Sequence, residues 1–304
     1  MILEKVPVAP AARASHEMKR LIVNADDFGF TRGTNEAIAR AFKEGILTSS
    51  TLMANGEAFA HAVQLAKANP GLGVGCHLAA VGGKVVSPEA GSLADKDGLL
   101  PKTLTDLVIK LTKGVVKPQD LDREFAAQVE RLIGAGIKPT HLDTHKHAAV
   151  HPAVTKALAR LALAFAIPAV RSPFERFGNW QSVAPVRAKR RRYVKQRALS
   201  FATLPSAIQF NRVMQKYHLR TPDYFCGVAL TGLLDSQALC RLIRALREGV
   251  TELMCHPALY DQELEQATTR LKRERQREFE ALTDATVLRC IDEQKVRLMS
   301  FAEL

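Results

Sequence analysis

The 304-residue sequence is short of the features that would place it outside the ordinary globular class. Its five cysteines, Cys76, Cys226, Cys240, Cys255 and Cys290, are scattered, odd in number and without a CxxC pair. That argues against a disulfide scaffold and a cysteine-built zinc site, and makes a reducing cytoplasm the expected compartment. No uninterrupted apolar run reaches the roughly 18 residues of a membrane span, and the opening MILEKVPVAPAARASHEMKR lacks the apolar centre of a secretory signal. No period of about 20–50 residues recurs, which removes a solenoid. GLGVG at 71–75 runs into Cys76 and His77 rather than a helix and lacks the lysine and hydroxyl of a phosphate loop, so a close-packed strand and turn explains it better. What remains is 47% hydrophobic and 24% charged residues, enough for one substantial core, with 43 basic against 31 acidic side chains. The formal charge of +12 favours anionic surroundings without selecting one.

Along the chain, residues 1–18 read as a flexible Ala/Pro leader and 19–304 as a single domain. RLIVNA is a strand that meets the acidic loop DDFGF, and a helix follows from Asn35 to Gly45. ILTSSTLMA is strand-like, AFAHAVQLAKANP is a helix ending near Pro70, and GLGVGCHLAA brings a short strand to a histidine. A helix from Asp120 to Gly134, an extended HLDTHKH, a helix from Val154 to Phe165 and the strand IPAVRSP continue the alternation. After an interruption at 174–224, read as an insertion or lid, it resumes with FCGVALTG, the helix SQALCRLIRALREG and the strand VTELMCHP. The charged stretch ATTRLKRERQREFEALT reads as a final surface helix, with a short terminal element after it. Strands alternating with helices, with chemical residues at the strand exits, predict an α/β fold with a parallel sheet or barrel.

Those exits carry the chemistry. Asp26 and Asp27 are adjacent behind a hydrophobic strand, an arrangement that a cation, a shared proton or solvent must offset; capping or a turn would account for them as well. His77 stands at a second exit, where packing alone would also explain it. His141, Asp143, His145 and His147 follow one another at two-residue intervals, so an extended segment gives them one face and a turn after Asp143 would redirect the later pair. Asp27, His77 and His145 together offer one oxygen and two nitrogens, an open catalytic set for one divalent ion, zinc or magnesium. Asp26 is then placed to take a proton from water, and His256 in LMCHPA is a second proton-transfer group or a structural histidine. Arg171 is read as a salt-bridging residue or as one that orients a carboxylate or an acyl oxygen.

VNADDFG at 23–29, GVGCHL at 73–78, HLDTHKH at 141–147 and ELMCHP at 252–257 together resemble the YdjC-like carbohydrate deacetylase family, which includes chitooligosaccharide deacetylases. The resemblance implies a modified (β/α) barrel and metal-dependent removal of acetyl from an N-acetylated sugar. It implies Asp27, His77 and His145 as the metal ligands, Asp26 as base and His256 as general acid or substrate contact. Asp143, His147 and His141 come out as supporting groups. THKHAAVHP, VRSPFE and the basic stretch before DYFCGVALTG are closer to the hopanoid-biosynthesis-associated branch, which implies an N-acetylglucosaminyl hopanoid as substrate; soluble chitooligosaccharide is the alternative.

RAKRRRYVKQR, at 187–197, has three readings: a solvated basic face, a peripheral contact with an anionic membrane such as the inner face of the cytoplasmic membrane, or nucleic-acid contact. No specific nucleic acid is expected, because no recognised nucleic-acid fold accompanies it, and a homo-oligomer stays open. A basic surface-binding protein without turnover is the competing class.

Overall fold

The computed structural model describes residues 18–175 and 190–304. The expected leader, apart from Met18, and residues 176–189 of the expected insertion lie outside them.

Eight parallel strands form one curled sheet: β1 (Lys19–Phe28), β2 (Ser49–Leu52), β3 (Gly73–Leu78), β4 (His141–Thr144), β5 (Ala169–Val170), β6 (Tyr224–Cys226), β7 (Gly249–Cys255) and β8 (Arg297–Leu298). Their spatial order is β5-β4-β3-β2-β1-β7-β6. β8 pairs with β1 at Arg20 and Leu21, on the edge that β2 takes over from Asn24. The two ends of the sheet approach one another through a single bridge between Ala169 and Arg220. The expected barrel is therefore a half-barrel curled toward closure, because its end strands are only two and three residues long.

The crossovers are helical: α1 (Arg32–Glu44), α2 (Phe59–Ala68), α3 (Leu104–Thr112), α4 (Pro118–Gly134), α5 (Pro152–Ala164), α6 (Arg190–Thr203), α7 (Pro205–Lys216), α8 (Ser236–Arg244), α9 (Gln262–Gln266), α10 (Arg273–Leu282) and α11 (Ala285–Glu293). Short side chains start several of them. Thr31, Thr103, Asp235, Asp261 and Asp284 each accept a backbone N–H of the first turn, and Pro118 and Pro152 occupy first helical positions where no N–H is required.

Strand parity separates two environments. Leu21, Val23 and Ala25 on β1, Val74, Cys76 and Leu78 on β3, and Leu253 and Cys255 on β7 face the helices and join the main core. The opposite parity faces the concave side. Low in the curl, Ile22, Ala169, Val250, Met299 and Phe301 make a small apolar plug. Above it the same rows turn polar, through Asn24 and Asp26, His77, His141 and Asp143, and Glu252, all buried. The apolar plug thus seals one end of the curl, and the polar rows open at the strand C-termini, where sites on parallel sheets form. Gly75 is required in this layer by contact: a Cβ there would lie 2.5 Å from the His141 ring.

Candidate active site and metal centre

A bulge at the end of β1 directs two neighbouring carboxylates into one mouth. The β1–β2 register breaks between Ala25 and Phe28, and Asp27 has φ of 67°. Aspartate is among the few non-glycine residues that occupy this left-handed region, and Gly29, with φ of 92°, completes the turn. Asp26 keeps the inward parity of Asn24. Asp27, which strict alternation would send into the helix layer, is brought back beside it, and both are 3% exposed.

Asp27 Oδ1, His77 Nε2 and His145 Nδ1 form a triangle. Oδ1 lies 3.5 Å from the His77 nitrogen and 3.3 Å from that of His145, and the two nitrogens are 3.2 Å apart. Asp27 Oδ1 is buried and receives no hydrogen bond from the described residues. Donors at tetrahedral corners around an ion with bonds near 2.1 Å stand about 3.4 Å apart, and at octahedral corners about 3.0 Å. The residues present, one carboxylate and two imidazoles at these separations, therefore fit a divalent ion.

Hydrogen bonds behind the triangle orient it. His77 Nδ1 is 2.7 Å from Asp143 Oδ1, which fixes the ring with Nε2 toward the triangle. Thr51 Oγ1 donates to Asp143 Oδ2 at 3.0 Å. Burial alone would lower the His77 pKa, but Asp143 and Asp26 outweigh it and raise it to about 9. Burial is the main influence lowering the His145 pKa, against the opposing pull of Asp27. His145 enters where β4 gives way to a tight 3-10 turn at His145–Val150, in which Lys146 and His147 both have positive φ. The expected redirection after Asp143 is this turn.

The other half of the mouth is organised by Arg171, fully buried at the exit of β5. Its Nη1 and Nη2 donate to the two oxygens of Asp26 at 2.8 and 2.6 Å, Nη1 also lies 2.6 Å from Asp143 Oδ2, and Nε donates to Glu252 Oε1 at 2.7 Å. Of the readings open for Arg171, the structure shows salt bridging and carboxylate orientation. Burial pushes the Asp26 carboxyl up, but Arg171, followed by His77, holds it net well below the ordinary carboxylate range. For Glu252 burial prevails over the nearby Arg171 and the carboxyl rises to about 8.

The remaining histidines divide by surroundings. His256 Nε2 faces Asp26 Oδ2 at 4.0 Å across the mouth, while its backbone N–H donates to Glu278 at 2.6 Å. His147 packs edge-on against Phe225, and burial lowers it to about 4. His141 sits deeper, stacked on Phe301 at 3.8 Å with Nε2 3.1 Å from Asn24 Oδ1. Burial brings it down to about 3. It supports Asn24, whose amide donates to Asp26 at 3.2 Å.

Residues 20–293 match the family described as YdjC-like protein. The chain belongs to the YdjC-like family. A carbohydrate deacetylase of Brevibacillus brevis is 35% identical over 94% of this chain and 99% of its own length. One from Geobacillus stearothermophilus is 33% identical over 93% and 96%, and a chitooligosaccharide deacetylase of Salmonella typhimurium is 32% identical over 93% and 98%. A solved structure from Enterococcus faecalis V583, named for cellobiose-phosphate cleavage, shares the fold with a TM-score of 0.75 at 24% identity, over 94% of this chain and 99% of that one. Family membership and the buried Asp/His cluster together give this YdjC-like chain the architecture of a metal-dependent carbohydrate deacetylase.

Three site residues of this family member escaped the sequence reading. Arg275 on α10 donates to the second oxygen of Asp27 at 2.5 Å and lies over the Phe30 ring, with its Nε and Nη1 unpaired among the described residues. The Asp27 carboxyl is pushed up by burial but held well below its ordinary range by Arg275 and His145. Glu278, one turn further along α10, accepts from Gly232 and His256. The expected surface helix is α10, with Arg273, Arg277 and Glu280 exposed; its inward face carries Phe279 and Leu282 together with Arg275 and Glu278, whose partners the site supplies. Glu252 was hidden inside an apolar strand run.

Proposed function

We propose that the protein hydrolyses the amide of an N-acetylated amino sugar, releasing acetate and leaving the free amine on the sugar. The observation that carries this reading is the convergence of the Asp27, His77 and His145 donor atoms within 4.8 Å of one another, beside Asp26 and His256. Asp27, His77 and His145 would hold the ion, with zinc favoured over magnesium. When bound, a divalent ion supplies Lewis acidity toward the acetyl oxygen and lowers the pKa of water.

The residues around it supply proton transfer. Asp26, kept ionised by Arg171, accepts the proton of the attacking water, and His256 gives a proton to the departing nitrogen. Their separation of 4.0 Å leaves them on facing sides of one gap. Asp143 holds His77 in the ligating tautomer, and Arg275 occupies the Asp27 oxygen not turned to the triangle. His147, neutral beside Phe225, is a wall for the sugar. All five cysteines are free and buried, which supports a reducing, cytoplasmic setting.

Soluble oligomers of N-acetylglucosamine are the favoured substrate, supported by full-length relatives named chitooligosaccharide deacetylase. An N-acetylglucosaminyl hopanoid is a second reading, favoured by the basic α6–α7 region. Incubating metal-loaded protein with both substrates, and following released acetate and free amine with chelated protein as control, tests both. Turnover of oligomers alone supports the first reading, and turnover of the glycolipid alone replaces it with the second. No acetate from either overturns the deacetylase assignment.

A further inference from the structure

The charge of the chain is concentrated in one segment. Of the 43 lysines and arginines, 11 fall between residues 176 and 222, while none of the 31 acids does, so the remainder is within one charge of neutral. The described part of this segment is α6, α7, which follows it after the single residue Leu204, and the stretch after them. On α6 the outward side carries Arg191, Val194, Lys195, Ala198, Leu199 and Ala202; on α7 it carries Ile208 and Arg212. Val194, Leu199 and Ile208 are 56%, 60% and 62% exposed. Aliphatic side chains this open, set among cations with no acid near them in sequence, form a face that water serves poorly.

We propose that the α6–α7 face docks on an anionic lipid surface. The cations meet the headgroups, and Val194, Leu199 and Ile208 enter the headgroup boundary. A second copy of this chain fits less well, because two acid-free faces repel. A polynucleotide fits less well too, because it gains nothing from exposed aliphatic groups, and Phe201 is already covered by the Arg197 guanidinium at 4.6 Å.

The placement gives docking a consequence. α7 packs on α5 and on the turn that carries His145 and His147. On α6, Gln196 donates to Thr231 behind β6, Ser200 to Glu175 behind β5, and Arg192 pairs with Glu274 at the start of α10. The two helices therefore pack on segments that follow β4, β5 and β6, at the end of the sheet where the mouth lies, and docking brings the mouth to the lipid surface.

Full-length protein is floated with phosphatidylcholine vesicles, with and without a third of phosphatidylglycerol, at rising salt. Binding only to the anionic vesicles, weakening with salt, is expected. Arg191→Glu/Lys195→Glu should lower partitioning at least about 25-fold, at roughly 5-fold per cation removed. Val194→Ser/Leu199→Ser/Ile208→Ser should lower it about 10-fold and leave the thermal melt and turnover of soluble substrate unchanged. Equal binding to both vesicle types, no binding, or parental binding by either variant overturns the proposal. So does displacement of vesicles by a single-stranded oligonucleotide that the triple-serine variant binds as tightly as the parent, which would make the face a polynucleotide site. Flotation involves no turnover, so the lipid inference and the deacetylase reading fail separately.

Discussion

Asp26 and Asp27 are the same residue type, adjacent, equally buried, and treated in opposite ways. Arg171 clamps both oxygens of Asp26, whereas Arg275 takes only one oxygen of Asp27 and leaves the other facing two imidazole nitrogens. On the first side, charge is balanced by protein alone. On the second, the balance is left open toward a cation. Burial by itself says little about a carboxylate's task; the number of its oxygens already committed says more.

The comparison breaks most severely at Arg171. Arg171→Met leaves Asp26 and Asp143 buried without their cation, and denaturant melts should show a loss of about 3–5 kcal/mol; a loss under about 1 kcal/mol would mean these carboxylates are neutralised some other way. Next comes a matched pair of substitutions. Asp26→Asn should keep its metal, measured by calorimetry, and lose turnover at least about 100-fold. Asp27→Asn should lose the metal itself. If the two behave alike, the division of labour between them is wrong.

Asp143→Asn tests the tautomer lock on His77, and metal affinity should fall about 10–100-fold. Unchanged affinity would leave Asp143 as a partner of Arg171 only. The smallest effect belongs to Glu252. Its folded pKa of about 8 lies above the ordinary 4.5, so its contribution to stability is complete below that ordinary value and is withdrawn as pH rises through 8. Glu252→Gln has no such withdrawal, so its melting temperature should gain on the parent from about pH 5 to pH 8. A gap that stays flat over that range would show that Arg171 keeps Glu252 ionised.

The acids and histidines at the strand exits were legible because a parallel strand delivers its last residues to one end of the sheet, and the apolar runs before Asp26, His77 and His256 mark those ends. Arg275 and Glu278 were not, because they share the inward face of α10 with Phe279 and Leu282, where periodicity gives no reason to bury a charge; only the carboxylate and N–H groups waiting in the fold supply one. Glu252 sits at an inward position of β7 where hydrophobicity alone predicts burial and says nothing of a partner such as Arg171. The crossovers α1, α2, α4, α5 and α8 were visible; α3 and α9, short helices in polar stretches, and α6 and α7, in the segment read as an insertion, were not. Whether the sheet closes was not, since that depends on a bridge between Ala169 and Arg220.

The pairing of β1 sets an order on biosynthesis. Lys19–Phe28 is the first strand of the sheet, yet its partners along most of its length are Gly249–Cys255 and Arg297–Leu298. A ribosome must therefore make nearly the whole chain before the strand bearing Asp26 and Asp27 is flanked on both edges, and Arg275 emerges only shortly before. Until then the nascent chain exposes an apolar strand edge ending in two unpaired acids, and such long-range pairing folds slowly. Chains truncated before residue 249 should be substrates for chaperones and proteases rather than partly active enzymes.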